Sequence, residues 1–207
     1  ATNVDDFLNL LIKGSLEMNC APDLAMPCEM TPVDYCARAI VEIGIKSNSW
    51  AQTAVPHVFH LTNSTSMMFP EVFKCVCRVG RFGNVPLIPF TEWRKERLLR
   101  LTHESHNSLL PLVPMFGDDF EAHACSPAQF GVARITAAMA ACKAPACPTT
   151  SAPLVERYAK YFMEVGFLPS AEKLQQKSAH AAGHDTASSS ASAEPGAAAA
   201  KAKSASS

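Results

Sequence analysis

The side chains best suited to chemistry in this sequence are its 8 cysteines and 7 histidines, and none stands at a spacing that completes a site. Cys75-x-Cys77 is too tight for the usual zinc pairing, and Cys142 and Cys147 have no second pair to close a tetrahedron. His103-Glu104-Ser105-His106 lacks the spacing of a helical zinc-protease motif. His57 and His60 bracket an apolar run, HVFHL, and as a metal or catalytic pair they would need a third ligand. No Gly-x-Ser-x-Gly elbow presents a serine nucleophile. There is no Walker sequence and no Gly-x-Gly-x-x-Gly turn. The nearest glycine pair, Gly80 and Gly83, follows a helical pattern rather than a strand, which is the wrong setting for a phosphate cradle. Cys36 and Cys142 fall inside apolar helical patterns, where a thiol acts as a small hydrophobe. Mostly free thiols are expected, as in a reducing compartment.

The elements that would position any site read as alternating α and β. Glu29–Lys46 is a short extended segment running into a helix. Thr31 is placed to cap it, Pro32 falls at the first helical position and Asp34 completes an approximate capping box. Val33, Cys36, Ala37, Ile40, Val41 and Gly44 recur at helical spacing, and much of the chain is expected to pack around this face. Before it, residues 1–19 read as a helix capped by Asn3, with Asp6 in its first turn and Asn19 suited to a left-handed end. After it come a buried strand at His57–Leu61, a helix over residues 66–80 and an extended VPLIP run. The prolines of that run bar it from the middle of a sheet. A helix capped by Thr91, an Ala-rich helix over residues 128–143 and a helix opened by Pro153 complete the pattern.

Composition narrows the function classes. The 207 residues are 48% hydrophobic, enough for one domain with a true core. A net charge of −1 leaves no basic footprint for nucleic acid and no polybasic patch for a membrane. No apolar run reaches ~18 residues and no secretory leader is visible, so a cytoplasmic protein is expected. The chain opens on Ala1, almost directly on a helix signal, and reads as a fragment or processed piece. Residues 170–207 hold 13 alanines, 9 serines and no aromatic, too little apolar surface to order a segment, so a disordered tail or linker is expected after a domain over 1–169.

Several stretches, in order, resemble one family: ATNVDDFLNLLIKG, MTPVDYCARAIVEI, VFHLTN, the TEWRKERL helix, LLPLVPMF and YAKYFMEVGFLP. They are similar to the C-terminal part of the thioester reductase domain. This is an extended short-chain dehydrogenase/reductase module found at the end of nonribosomal peptide and polyketide synthases, in carboxylic acid reductases and in aminoadipate reductase. The resemblance implies a helix-rich α/β fold, the substrate-binding lobe of a Rossmann-type enzyme, with few short strands. It implies hydride transfer from NADPH to a thioester carried on the phosphopantetheine arm of an acyl or peptidyl carrier domain, releasing an aldehyde or alcohol. The family's Tyr-x-x-x-Lys pair is absent: Tyr35, Tyr158 and Tyr161 are followed four residues later by Ala39, Phe162 and Val165. The chain therefore reads as the substrate-binding half, with no catalytic, cofactor or metal residues of its own. Asn3, Asp6, Phe7, Val33 and Trp93 are the expected borders of the acyl channel. A plain cap, dipole or core role competes at each. Two other readings fit the same features: a non-catalytic module that docks a carrier or partner protein, and a fragment of a fatty acyl-CoA reductase.

Overall fold

The computed structural model describes residues 5–45, 58–172 and 174. Helix α1 spans Phe7–Glu17 and begins later than its pattern suggests. Asp6 is its N-cap, its carboxylate accepting from the Leu8 amide at 3.0 Å. The expected cap, Asn3, lies outside the described residues. Leu11, Ile12 and Leu16 are buried along one face, and Asn19 takes the expected left-handed conformation (φ 53°) after the helix ends. Strand β1 (Ala21–Asp23) and strand β2 (Pro27–Glu29) follow, then helix α2 (Val33–Ile45).

Strand β3 (Ser66–Met68) leads straight into helix α3 (Phe69–Gly80), where one continuous helix was expected. Pro70 in the first turn fixes that boundary, because proline is tolerated only at a helix start. The left-handed residue beyond α3 is Arg81 (φ 53°), not a glycine. Strand β4 (Leu87–Pro89) and helix α4 (Phe90–Glu96) come next, and Pro89 rather than Thr91 precedes the helix. Three 3-10 turns, Leu98–Arg100, His103–Ser105 and Leu110–Met115, carry the chain to helices α5 (Phe120–Cys125), α6 (Ala133–Ala141) and α7 (Ala152–Glu164). β1 pairs with β4 in parallel, Ala21 opposite Leu87, and β2 pairs with β3 antiparallel, Pro27 opposite Met68. Each sheet has two strands, so the proline-bearing β4 is an edge strand as expected.

The main core joins α1, α3, α4 and α7, with α3 and α7 packed along each other. A second, small core holds Tyr35 and Ala39 of α2 against Ile135 and Met139 of α6. Helix α2 is thus peripheral rather than central. The side expected to be buried is exposed, and the side bearing Tyr35 and Ala39 packs inward. Thr31 does not cap it either: its hydroxyl donates to Glu29 Oε1 at 2.9 Å. The expected strand at His57–Leu61 is likewise absent. His57 lies outside the described residues, and residues 58–61 run without secondary structure. All eight cysteines are free.

Gly14 sits mid-helix for a tertiary reason. Asn107 donates to its carbonyl at 3.0 Å, and a Cβ at this position would lie 2.5 Å from Leu109 Cγ, inside fully buried packing. Gly14→Ala is therefore expected to destabilise by ~1–3 kcal/mol through overpacking. That sign opposes the ~1 kcal/mol gain helix propensity alone would give, and a denaturant titration reads it directly.

Candidate functional site

A cleft of about 460 Å³ opens between α1, the start of α2, α3 and α7. Its floor is apolar because α1, α3 and α7 each turn buried residues toward it: Ile12 from α1, Val72 and Val76 from α3, Val155 and Ala159 from α7, and Leu168 beyond. Phe162 and Phe167, with ring centroids 5.0 Å apart, wall one side, and the Lys13 ammonium lies 4.8 Å over the Phe167 ring. Gly166 (φ 72°) turns the chain back after α7 and brings Phe167 and Leu168 to the cleft. Polar groups gather among the remaining lining residues: Asp6, Asn9, Glu29, Thr31, Tyr158 and Tyr161.

Two of those groups have defined protonation. Burial first, and the Asp34 carboxylate second, push the Tyr158 phenol above its ordinary value, so at neutral pH it keeps its proton and can donate a hydrogen bond. Burial would raise the Glu29 carboxyl, but hydrogen bonds from Thr62, Asn63 and Thr31 outweigh it and hold the group below the ordinary carboxylate range. Glu29 Oε1 accepts from the Asn63 amide at 2.7 Å, which ties the end of β2 to the loop behind the cleft.

Asn63 anchors that loop. Its Nδ2 donates to the carbonyls of Met30 and Pro148, both at 2.8 Å, and its Oδ1 accepts from the Thr65 amide and hydroxyl at 3.1 and 2.9 Å. Thr150 closes the network: its amide donates to Thr65 Oγ1 at 2.7 Å and its hydroxyl to the Thr65 carbonyl at 2.9 Å. Met30 and Thr31, which line the cleft, are positioned through these bonds.

Of the residues singled out in the sequence, Asp6 and Val33 meet at the cleft. Phe7 and Trp93 do not line it. Phe7 packs on Phe116 and Phe120 at 5.8 and 6.0 Å, and Trp93 is fully buried against Phe90 and Phe116. Asn3 lies outside the described residues. Sequence reasoning missed Tyr158 as a site group, although a phenol amid the apolar stripe of α7 was a visible signal. It also missed Asn63, whose place in a Thr-Asn-Ser turn marked only a strand end.

The cleft does not fit a dinucleotide. Among the described residues no Lys, Arg or His lines it, and its two carboxylates, Asp6 and Glu29, would repel phosphates. No group of three or more His, Cys, Asp or Glu could hold a metal among the described residues. None of the described helices is long and apolar enough to cross a membrane.

No family model matches the sequence. An L-2-aminoadipate reductase large subunit of Penicillium chrysogenum is 27% identical over 179 residues, covering 81% of this chain and 12% of the relative. A PKS-NRPS hybrid synthetase of Aspergillus candidus is 28% identical over 120 residues, 58% of this chain and 5% of the relative. Among solved structures, the terminal R domain from the myxalamid PKS-NRPS biosynthetic pathway superposes with a TM-score of 0.64 at 24% identity, over 82% of this chain and 41% of that one. The chain thus spans only a small part of the curated relatives it matches. The helix-rich fold with few short strands is that of part of an R domain, and the resemblance to the C-terminal part of a thioester reductase domain stands on both sequence and fold.

Proposed function

We propose that this chain is the substrate-binding portion of an NADPH-dependent thioester reductase, and that its cleft takes the acyl or peptidyl end of a thioester carried on a phosphopantetheine arm. The observation that carries this reading is the cleft's chemistry within an R-domain fold: an apolar floor, a Tyr158 hydroxyl that keeps its proton and, among the described residues lining it, no cation. Such a site desolvates a hydrocarbon or peptide end and offers a donor to a carbonyl. It would not hold a nicotinamide cofactor's phosphates, so NADPH belongs to a complementary part of the domain, and no hydride step is assigned to residues of this chain. In this reading residues 1–169 form the lobe, 170–207 are a tail or linker, and the protein is cytoplasmic with a carrier domain as partner.

Two measurements test it. The isolated chain is expected to oxidise no NADPH in the presence of an acyl-pantetheine thioester, whereas the chain joined to a nucleotide-binding half reduces it. Turnover by the chain alone, or none by the joined domain, overturns the proposal. In the active domain, Leu8→Trp would narrow the cleft beside Asp6. Excluding two methylenes at ~0.8 kcal/mol each should lower kcat/KM for a long acyl chain roughly tenfold and leave a short one nearly unchanged.

A further inference from the structure

Polar and apolar groups are separated along the cleft. Tyr158 lies toward the start of α2, where the Asp34 carboxylate acts on it and Glu29 and Thr31 stand just before the helix. Phe162 follows Tyr158 one turn later on α7, ~6 Å on at 1.5 Å per residue. On α1, Asp6 and Asn9 precede Ile12 in the lining. The apolar ends of the two helices meet at Phe167. Its ring centroid is 5.0 Å from that of Phe162, and Lys13, next to Ile12, holds its ammonium 4.8 Å over the same ring. Phe167 is also fixed through its backbone. Its amide and that of Leu168 both donate to the Phe162 carbonyl, at 2.8 and 3.0 Å, and the Gly166 amide donates to the Met163 carbonyl at 3.1 Å. Lys13 does not line the cleft, so its ammonium braces the ring, which it attracts through the ring's negative face, without entering the cavity.

We propose that Phe167 is the end wall that sets how long an acyl group the cleft accepts, and that Lys13 is the positioning residue that keeps its ring in place. The ligand class is an apolar acyl chain of bounded length. It lies with its carbonyl among Glu29, Thr31 and Tyr158 and its methyl end against Phe162 and Phe167. This rests on the function proposed above for the same cleft. Desolvation argues for the orientation: reversed, the carbonyl would face Ile12, Phe162, Phe167 and Leu168, whose side chains offer no donor. Tyr161 neighbours Phe162 but is 40% exposed, toward solvent. Rigidity argues for a ruler. Each methylene that fits short of the wall gains roughly fourfold in affinity. A wall tied by backbone hydrogen bonds cannot retreat to admit one more, and forcing an extra methylene into fixed packing is unfavourable.

Calorimetry on this chain with N-acyl pantetheine amides of increasing length tests the wall without any reduction. Affinity should climb roughly fourfold per methylene and stop climbing at one length. Phe167→Ala should move that break to longer chains, raising affinity for acyl groups past the parental limit roughly tenfold or more and leaving the shortest within about twofold. Phe167→Trp should move the break to shorter chains. Lys13→Met should admit the longer chains better than the parent does, by less than Phe167→Ala, whereas Lys13→Arg keeps a cation over the ring and should retain the parental profile. Each comparison is a ratio between chain lengths in one preparation, so partial unfolding of a variant does not imitate it. A break at the same length in the parent and both Phe167 variants overturns the proposal. So does affinity that ignores chain length, or amides that do not bind. A parental profile in Lys13→Met removes Lys13 from it. Thioester reduction by the joined domain is read separately. Binding that follows Phe167 with no reduction removes the proposed function and leaves the wall standing; reduction whose length profile Phe167→Ala does not move removes the wall alone.

Discussion

Trp93→Ala is expected to cost ~3–5 kcal/mol of stability, a fall in melting temperature of roughly 6–20 °C for a chain of this size. The indole is fully buried and makes an edge contact with Phe116 at 5.6 Å, within a cluster that also takes in Phe7, Phe90 and Phe120. Phe116 and Phe120 are 4.7 Å apart, and the Arg94 side chain, donating to the Phe116 carbonyl and paired with Asp118 at 2.8 Å, fixes the turn that presents them. Removing the indole leaves a cavity that this cross-braced set of rings cannot collapse into. Trp93→Phe separates packing from polarity. Nε1 has no hydrogen-bond partner among the described residues, so phenylalanine gives up volume but also removes a buried orphan donor. Those terms oppose each other, and the variant should fall within ~1 kcal/mol of the parent. Were Trp93 a wall of the substrate channel, the alanine variant would keep its urea midpoint and shift KM. A lost midpoint with parental KM in the surviving folded fraction is the outcome expected here.

Some single-residue signals survived folding, while the caps expected at Thr31 and Thr91 did not. Asn19 and Gly166 took the left-handed conformations their types favour, the prolines of VPLIP kept that run at a sheet edge, and Leu11, Ile12 and Leu16 went inward together. Periodicity misled where two faces competed. In α2 the larger apolar stripe faces water and the smaller pair, Tyr35 and Ala39, is buried, because periodicity reports that a face is apolar and not which neighbour this chain supplies for it. In α7, Leu154, Tyr158, Phe162 and Val165 recur at helical spacing, yet Val155 and Ala159 are the buried positions and Val165 is 52% exposed. The cleft was hardest to read. Its lining comes from segments separated by more than a hundred residues, from Asp6 to Leu168, and only Asp6 and Val33 were picked out beforehand. Both lie in the stretches that most resemble the reductase family.

The polar network behind the cleft should be as sensitive as the aromatic core. Asn63→Ala removes four hydrogen bonds at once and leaves the Met30 carbonyl with the long 3.5 Å bond from the Thr150 hydroxyl and the Pro148 carbonyl with the 3.7 Å contact from the Cys147 thiol, for an expected loss of ~3–4 kcal/mol. Leucine should rescue none of this, since the site needs two donors and an acceptor rather than volume. Asn63→Asp is the sharper probe. It keeps the acceptor for Thr65 but sets a carboxylate against two carbonyl oxygens, beside Glu29, whose carboxylate already accepts from the residue 63 amide. The new carboxyl should have a raised pKa, so its damage is greatest at neutral pH and eases as pH falls through that value, where the protonated acid can again donate. Glu29 runs the other way. Its lowered pKa means that its contribution is present above the ordinary glutamate value and is lost as pH falls through the lowered one. Urea midpoints against pH should therefore show Asn63→Asp recovering toward the parent in mild acid before both decline. A flat offset across that range would place residue 63 outside the network. Because the same bonds hold Met30 and Thr31 at the cleft, a variant that still folds should also bind its acyl substrate more weakly, with KM rising before kcat falls.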